Sequence, residues 1–198
     1  MEQVPSTFAE DLDKSRFTPA SYVQENALVK AREVWAKLYA QVEREPGQHL
    51  PVDMVIGSDT VVSVDDRILE KPEDADAAVA MLSSLSGRRH CVYSGVAMLH
   101  RCADGAPFSA PPDVDPASLG VGSCYEQLFV ECTEVEFAEL SEREIAAYVA
   151  TGEPYDKAGG YGIQAAAGAF VKGIHGDYYN VMGLPLHKVA MAIATLVQ

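Results

Sequence analysis

Three segments of the chain hold more chemistry-bearing residue types than packing requires. The first is Gly57-Ser58-Asp59-Thr60, where a short apolar run (residues 52–56) gives way to a carboxylate between two hydroxyls. Read as the end of a strand, it puts Asp59 where open α/β sheets place their sites, able to bind a metal or accept a proton. The bland alternative is a turn whose side chains bond their own backbone. The second segment, Glu70-Lys71-Pro72, sets a carboxylate beside a lysine. A solvated ion pair of little energetic weight is one reading. The other is that Pro72 fixes the backbone at the start of a helix, whose N-terminal amides favour anions, so that Lys71 can hold a phosphate. The third segment, residues 153–164, reads Glu-Pro-Tyr-Asp-Lys-Ala-Gly-Gly-Tyr-Gly-Ile-Gln. Three glycines in four positions let backbone approach a ligand closely. Asp156, Lys157 and Gln164 add an acceptor, a cation and an amide whose two ends can read the edge of a base. Against this stands a glycine-rich turn that merely closes a helix.

Composition narrows the chemistry. At 198 residues, 48% hydrophobic and 22% charged, the chain is of a size and make-up for one soluble domain with a full core. No apolar run is long enough to cross a bilayer, and residues 1–13 are acidic and polar where a signal peptide is basic and then apolar, so the expectation is a cytosolic protein without a membrane partner. A formal net charge of −14 argues against a sequence-independent nucleic-acid binder, which needs an electropositive face. An anionic small substrate remains open if a metal ion and a few placed lysines offset the repulsion locally. Cys91, Cys102, Cys124 and Cys132 form no C-x-x-C pair and the five histidines no metal-ligand spacing, so reduced thiols are expected rather than a zinc site.

The elements that must position these residues follow from periodicity. Residues 22–42 repeat Tyr22, Val23, Ala27, Ala31, Val34 and Leu38 at three-to-four spacing, which predicts an amphipathic helix lying on a sheet. Residues 52–56 predict a buried strand ending at Gly57–Thr60. Val61, Val62 and Val64 predict a second strand that turns at Asp65-Asp66 and returns through Ile68 and Leu69. A helix is expected from Pro72 to Leu85, stopped by Gly87. Strands are expected at 90–99 and 125–137, joined by residues 101–124, a proline- and glycine-rich surface excursion without periodicity. Ser141-Glu-Arg-Glu144 is a capping box that opens a short helix. Residues 169–174 predict a last strand and 185–197 a last helix. Strands and helices in alternation argue α/β, with hairpins making the sheet mixed.

These segments, in this order, resemble the Maf family of nucleotide pyrophosphatases. The resemblance runs from about Phe8 to the C-terminus. It rests on Gly57-Ser-Asp-Thr-Val-Val62, Glu70-Lys-Pro72, Leu82-Ser-Ser-Leu-Ser-Gly-Arg88 with His90, residues 152–164, and Gly176-Asp-Tyr-Tyr-Asn-Val-Met-Gly-Leu-Pro185. The run Asp-Lys-Ala-Gly-x-Tyr-Gly-Ile-Gln is similar to that of the dTTP/UTP subgroup, including the Maf-like half of acetylserotonin O-methyltransferase-like proteins. The resemblance implies an α/β fold of the Maf/ITPase-like kind, a mixed twisted sheet flanked by helices with an active-site cleft. It implies hydrolysis of a nucleoside triphosphate between the α and β phosphates, with a divalent cation, Mg²⁺ or Mn²⁺, as cofactor. Carried over residue by residue, Asp59 is the catalytic carboxylate and a metal ligand, with Glu10 as a second. Thr60 and Gln164 bear on base choice, Lys71 and Lys157 hold phosphates, and Lys30 is a further substrate contact. The implied partner is a nucleotide, with no nucleic acid and no membrane, in a chain that can form a homodimer.

One departure accompanies the resemblance. Family members open with a strand and a Ser-x-Ser-Pro-Arg-Arg loop, and this sequence starts downstream of that motif. The expectation is a single Maf-like domain over residues 1–198, incomplete at its N-terminus, with a sheet edge left unpaired and without the forked arginine donors of the loop. The alternative function is a catalytically impaired nucleotide-binding or regulatory protein.

Overall fold

The computed structural model describes residues 2–44, 52–101 and 124–196. Five strands form one sheet: β1 (Met54–Val64), β2 (Arg67–Leu69), β3 (Arg89–Arg101), β4 (Cys124–Phe137) and β5 (Val171–His175), in the order β2-β1-β3-β4-β5. The sheet expected to be mixed shows only antiparallel pairings among the described residues. Five helices flank it: α1 (Pro19–Arg44), α2 (Ala75–Leu85), α3 (Glu142–Val149), α4 (Tyr178–Met182) and α5 (Leu186–Leu196). The α/β class follows from this alternation. The 101–124 excursion joins the paired ends of β3 and β4, where Arg101 meets Cys124. Residues 102–123 of it lie outside the described residues.

Side chains on a strand alternate between faces, and that alternation divides the core. Odd-numbered positions of β1 face α1, where Ala27, Leu28, Ala31, Val34 and Trp35 pack on Val55, Ala97 and Leu99. Even-numbered positions face α2 and α3 at one end, with Leu82, Leu85 and Tyr148 against Val62 and Val92, and α5 at the other, with Val189 and Ala192 against Val96. Helix α1 can lie this close because Gly95 has no side chain: a Cβ there would stand 2.3 Å from the Val23 carbonyl oxygen. Truncating Leu28 to Ala in this layer costs about 2–5 kcal/mol, the range for a buried leucine whose cavity does not collapse.

Two boundaries differ from expectation in ways that matter for the site. Gly57–Thr60 does not end a strand. β1 is one run of eleven residues, and β3 pairs with it from Met54 to Ser63, so Asp59 sits opposite Gly95 in mid-strand. Long-range pairing overrides the turn propensity of Gly-Ser-Asp-Thr. Helix α2 begins at Ala75 rather than Pro72, because Asp74 caps it by accepting from the Ala77 amide at 2.7 Å. Lys71 therefore lies on the approach to the helix, away from its first amides. The expected β1–β2 hairpin forms, its turn made by Asp65 and Asp66 at φ 49° and 59°. The capping box at Ser141 and Glu144 is present with both hydrogen bonds. Residues 166–170 form a 3-10 turn, so the last strand starts at Val171.

Candidate active site

β1 is open on the side away from β3. Among the described residues no strand pairs with positions 54–61 there, and a cleft of about 380 Å³ opens along that edge. The volume lies within the range of small-molecule sites. Because the cleft wraps around the edge of the sheet, it receives Asp59 from the α1 face and Thr60 from the opposite face.

Helix α1 builds the first wall. Asp59 is only 8% exposed, and both its oxygens are taken. Lys30 Nζ donates to Oδ1 at 2.6 Å and the Asn26 amide donates to Oδ2 at 3.1 Å. The same ammonium pairs with Glu10 at 2.8 Å, so one lysine bridges two carboxylates. Four residues before Asn26, the buried Tyr22 hydroxyl donates to Glu70 Oε1 at 2.5 Å, and Lys14 pairs with the other oxygen of Glu70. Positions 22, 26 and 30 are neighbours on one helix face, which is why a single helix serves both carboxylates. Burial raises the Asp59 carboxyl above its ordinary value against the pull of the Lys30 charge and hydrogen bond. Burial also works to lower the pKa of Lys30, but attraction and hydrogen bonding from Asp59 and Glu10 outweigh it. The net shift is upward and the ammonium stays charged.

The glycine-rich segment builds the second wall as a series of 3-10 turns, among them Glu153–Asp156 and Ala158–Gly160. It docks on β1 through Gly159, whose amide donates to the Glu70 carbonyl at 3.0 Å. That residue has φ +69°, and a Cβ there would lie 2.5 Å from Val62 Cγ2, so only glycine fits. Two residues on, Tyr161 is buried with its hydroxyl 2.7 Å from His90 Nε2. Burial pushes the His90 imidazole down to about 4, so it is neutral near pH 7. On the open side Lys157 pairs with Asp156 at 2.7 Å, and Lys71 is close enough to help lower the Asp156 carboxyl. A Cβ on Gly162 would meet Lys157 Cε at 3.1 Å and Gln164 Oε1 at 3.5 Å, which puts those two side chains together over one backbone position.

Residues 177–183 form the third wall, and hydroxyls on the sheet pin it. The Gly183 carbonyl accepts from Ser58 at 3.0 Å and from Thr60 at 3.3 Å. Ser94, fully buried, lies 2.8 Å from the Thr60 hydroxyl and donates to the Asn180 carbonyl at 3.1 Å. Asn180 in turn donates to the Val92 carbonyl and the Thr133 hydroxyl, each at 3.0 Å.

All seven residues singled out in the sequence, Glu10, Lys30, Asp59, Thr60, Lys71, Lys157 and Gln164, line this one cleft. Asn26, Tyr22 and Ser94 belong to the site although no functional motif points to them. The first two do leave a trace: polar tips recur every fourth residue, at 22, 26 and 30, inside an otherwise apolar stripe. Among the described residues no group of three or more His, Cys, Asp or Glu converges as a ready-made metal site. Glu10 and Asp59, however, converge on the Lys30 ammonium, which fills the point between them, and each carboxylate has lone pairs beyond the one that Lys30 takes. Two hard oxygen donors of this kind suit a cation whose remaining positions are filled by phosphates and water. Among the described residues no helix is long and apolar enough to cross a membrane.

Comparison with known proteins identifies what the chain is similar to. The family model described as Maf-like protein matches residues 1–196. The chain is 46% identical over 196 residues to the human probable bifunctional dTTP/UTP pyrophosphatase/methyltransferase protein, covering 98% of this chain and 28% of that relative's length. It is 42% identical over 192 residues to the dTTP/UTP pyrophosphatase of Clostridium perfringens (strain 13 / Type A), covering 97% of this chain and 84% of the relative. It is also 46% identical over 148 residues to the dTTP/UTP pyrophosphatase of Geobacillus sp. (strain WCH70), covering 75% and 68%.

Proposed function

Since the chain belongs to the Maf family, we propose that its cleft hydrolyses dTTP and UTP, or modified pyrimidine triphosphates, to the nucleoside monophosphate and pyrophosphate. The observation that carries this reading is a buried carboxylate, Asp59, held by Lys30 at the base of a cleft whose rim bears two more lysines and a glutamine. Phosphoryl chemistry is mostly positioning and charge stabilisation, and those are the groups it needs.

In this reading Asp59 accepts the proton of the attacking water. It is the buried carboxylate that lines the cleft, where a proton acceptor must reach the attacking water. Lys30 holds that carboxylate in place, and Lys71 and Lys157 bind the β and γ phosphates. Thr60 and Gln164 bear on base choice, the glutamine through an amide matched to a pyrimidine edge. Glu10 and Asp59 would hold a divalent cation, Mg²⁺ or Mn²⁺, which when bound neutralises phosphate charge and favours ionisation of water. The protein works on free nucleotides in the cytosol, alone or as a homodimer.

Pyrophosphate release, measured with Mg²⁺ over dTTP, UTP, CTP, GTP and ATP, tests the reading. Turnover of dTTP and UTP ahead of both purines is expected. Equal or faster turnover of GTP or ATP would overturn the base assignment, and no release from any of them would overturn the activity.

A further inference from the structure

We infer that Asn26 is a positioning residue for the reaction, fixing the Asp59 carboxylate by holding the oxygen that Lys30 does not. The inference rests on the pyrophosphatase reading, in which Asp59 is the working carboxylate.

A single donor leaves an aspartate free to turn about its terminal bond, because that torsion is broad and two-fold. Asp59 has two donors, one on each oxygen, and both come from the same face of α1: Lys30 on Oδ1 at 2.6 Å and Asn26 on Oδ2 at 3.1 Å. Four-residue spacing on a rigid helix fixes the separation of those donors and with it the plane of the carboxylate. The Lys30 ammonium is divided between Asp59 and Glu10, so it cannot set that plane alone.

Asn26 is also an unfavourable residue for its place. It is fully buried, its Oδ1 has no hydrogen-bond partner among the described residues, and its neighbours Tyr22, Val23, Ala27 and Leu28 belong to the hydrophobic core. Burying an unpaired amide oxygen destabilises a fold, and a leucine, of the same branched shape though bulkier, would remove that penalty. Apolar packing therefore gives no reason for an amide at position 26, whereas its polar contacts do: the hydrogen bond it donates to Asp59 and its contact with the Tyr22 hydroxyl.

The two explanations predict different behaviour for Asn26→Leu. If the amide is structural, stability and activity fall together. If it positions Asp59, kcat falls far more than stability does, because removal of the unpaired Oδ1 partly offsets the loss of a donor to Asp59 Oδ2. The fall should be about tenfold or more, since small misplacements of a reacting group cost rates of that order. KM should stay within about twofold, because the phosphate and base contacts lie on the other walls. The measurement is kcat, KM and thermal midpoint for wild type, Asn26→Leu and Asn26→Ala, with dTTP and UTP. Asn26→Ala decides if the leucine does not fold, and failure of both to fold makes the residue structural and ends the inference. Wild-type kcat in either folded variant, or a loss confined to KM, overturns it while leaving the pyrophosphatase reading intact. A wild-type protein that releases no pyrophosphate overturns that reading, and this inference with it.

Discussion

On the α1 wall of the cleft, every charged or polar tip that reaches Asp59 is already engaged: Lys30 on Asp59 and Glu10, Asn26 on Asp59, with Tyr22 on Glu70 beside them. On the wall made by residues 153–164 and Lys71, the functional side chains stand toward solvent. Lys71 and Gln164 are exposed, and the Lys157–Asp156 pair involves a carboxylate 74% exposed. Although Glu10 beside it keeps contact with water, the Asp59–Lys30 pair on the first wall is largely desolvated, at 8% and 17% exposure. In that environment electrostatic interactions are strong and need no rearrangement at the moment of reaction. The second wall keeps its charges hydrated, so its ion pair contributes little to stability and can be exchanged for phosphate at small cost. The contrast assigns chemistry to the rigid wall and capture of substrate to the open one.

The sharpest way to break that division is Asp59→Asn. Turnover of dTTP should fall on the order of a thousandfold, as loss of a positioned base does, while nucleotide binding followed by ligand-dependent thermal shift persists. An activity loss accompanied by complete loss of binding would put Asp59 among the capture groups instead.

Next in size is the support beneath the open wall. The depressed pKa of His90, caused by burial, means that between pH 6.5 and about 4 the unfolded chain binds a proton there that the folded chain refuses. Stability from this group is therefore complete above pH 6.5 and drains away as pH falls toward 4. The loss reaches about 3 kcal/mol, since each tenfold difference in proton affinity between the folded and unfolded chains is worth about 1.4 kcal/mol. Unfolding followed against pH should show this slope, and His90→Gln should flatten it. An unchanged slope in the variant would place the acid sensitivity elsewhere.

The smallest effects belong to the rim. Lys71→Ala and Lys157→Ala should each raise KM for dTTP about tenfold, the value of one charge-assisted hydrogen bond to phosphate, with kcat less affected. A larger effect on kcat than on KM for either lysine would show that the open wall also acts in the transition state, and the division of labour between the walls would then fail.

Much of this site is legible in the order of the amino acids. Where local chemistry decides, the sequence suffices: the periodicity of α1, the hairpin turn at Asp65 and Asp66, the capping box at Ser141, and the glycine-rich run whose conformation only glycine tolerates at position 159. Functional residue types gathered in residues 57–60, 70–72 and 153–164 point to Asp59, Thr60, Lys71, Lys157 and Gln164, and the family resemblance adds Glu10 and Lys30 from the same cleft. What the chain alone could not reveal depends on partners distant in sequence. Asp59 lies in mid-strand because Gly95 of β3, far along the chain, pairs across it. Asn26 reads only as a polar tip within an apolar stripe, with no partner in view, until the fold brings it to Asp59, thirty-three residues away. Ser94 and Thr133 are ordinary strand residues until a segment more than forty residues further on offers them its carbonyls. A side chain's propensity is set within a few bonds, whereas its hydrogen-bond partner and its exposure to water are set by the whole packed sheet, and the roles of these residues come from the second pair of quantities.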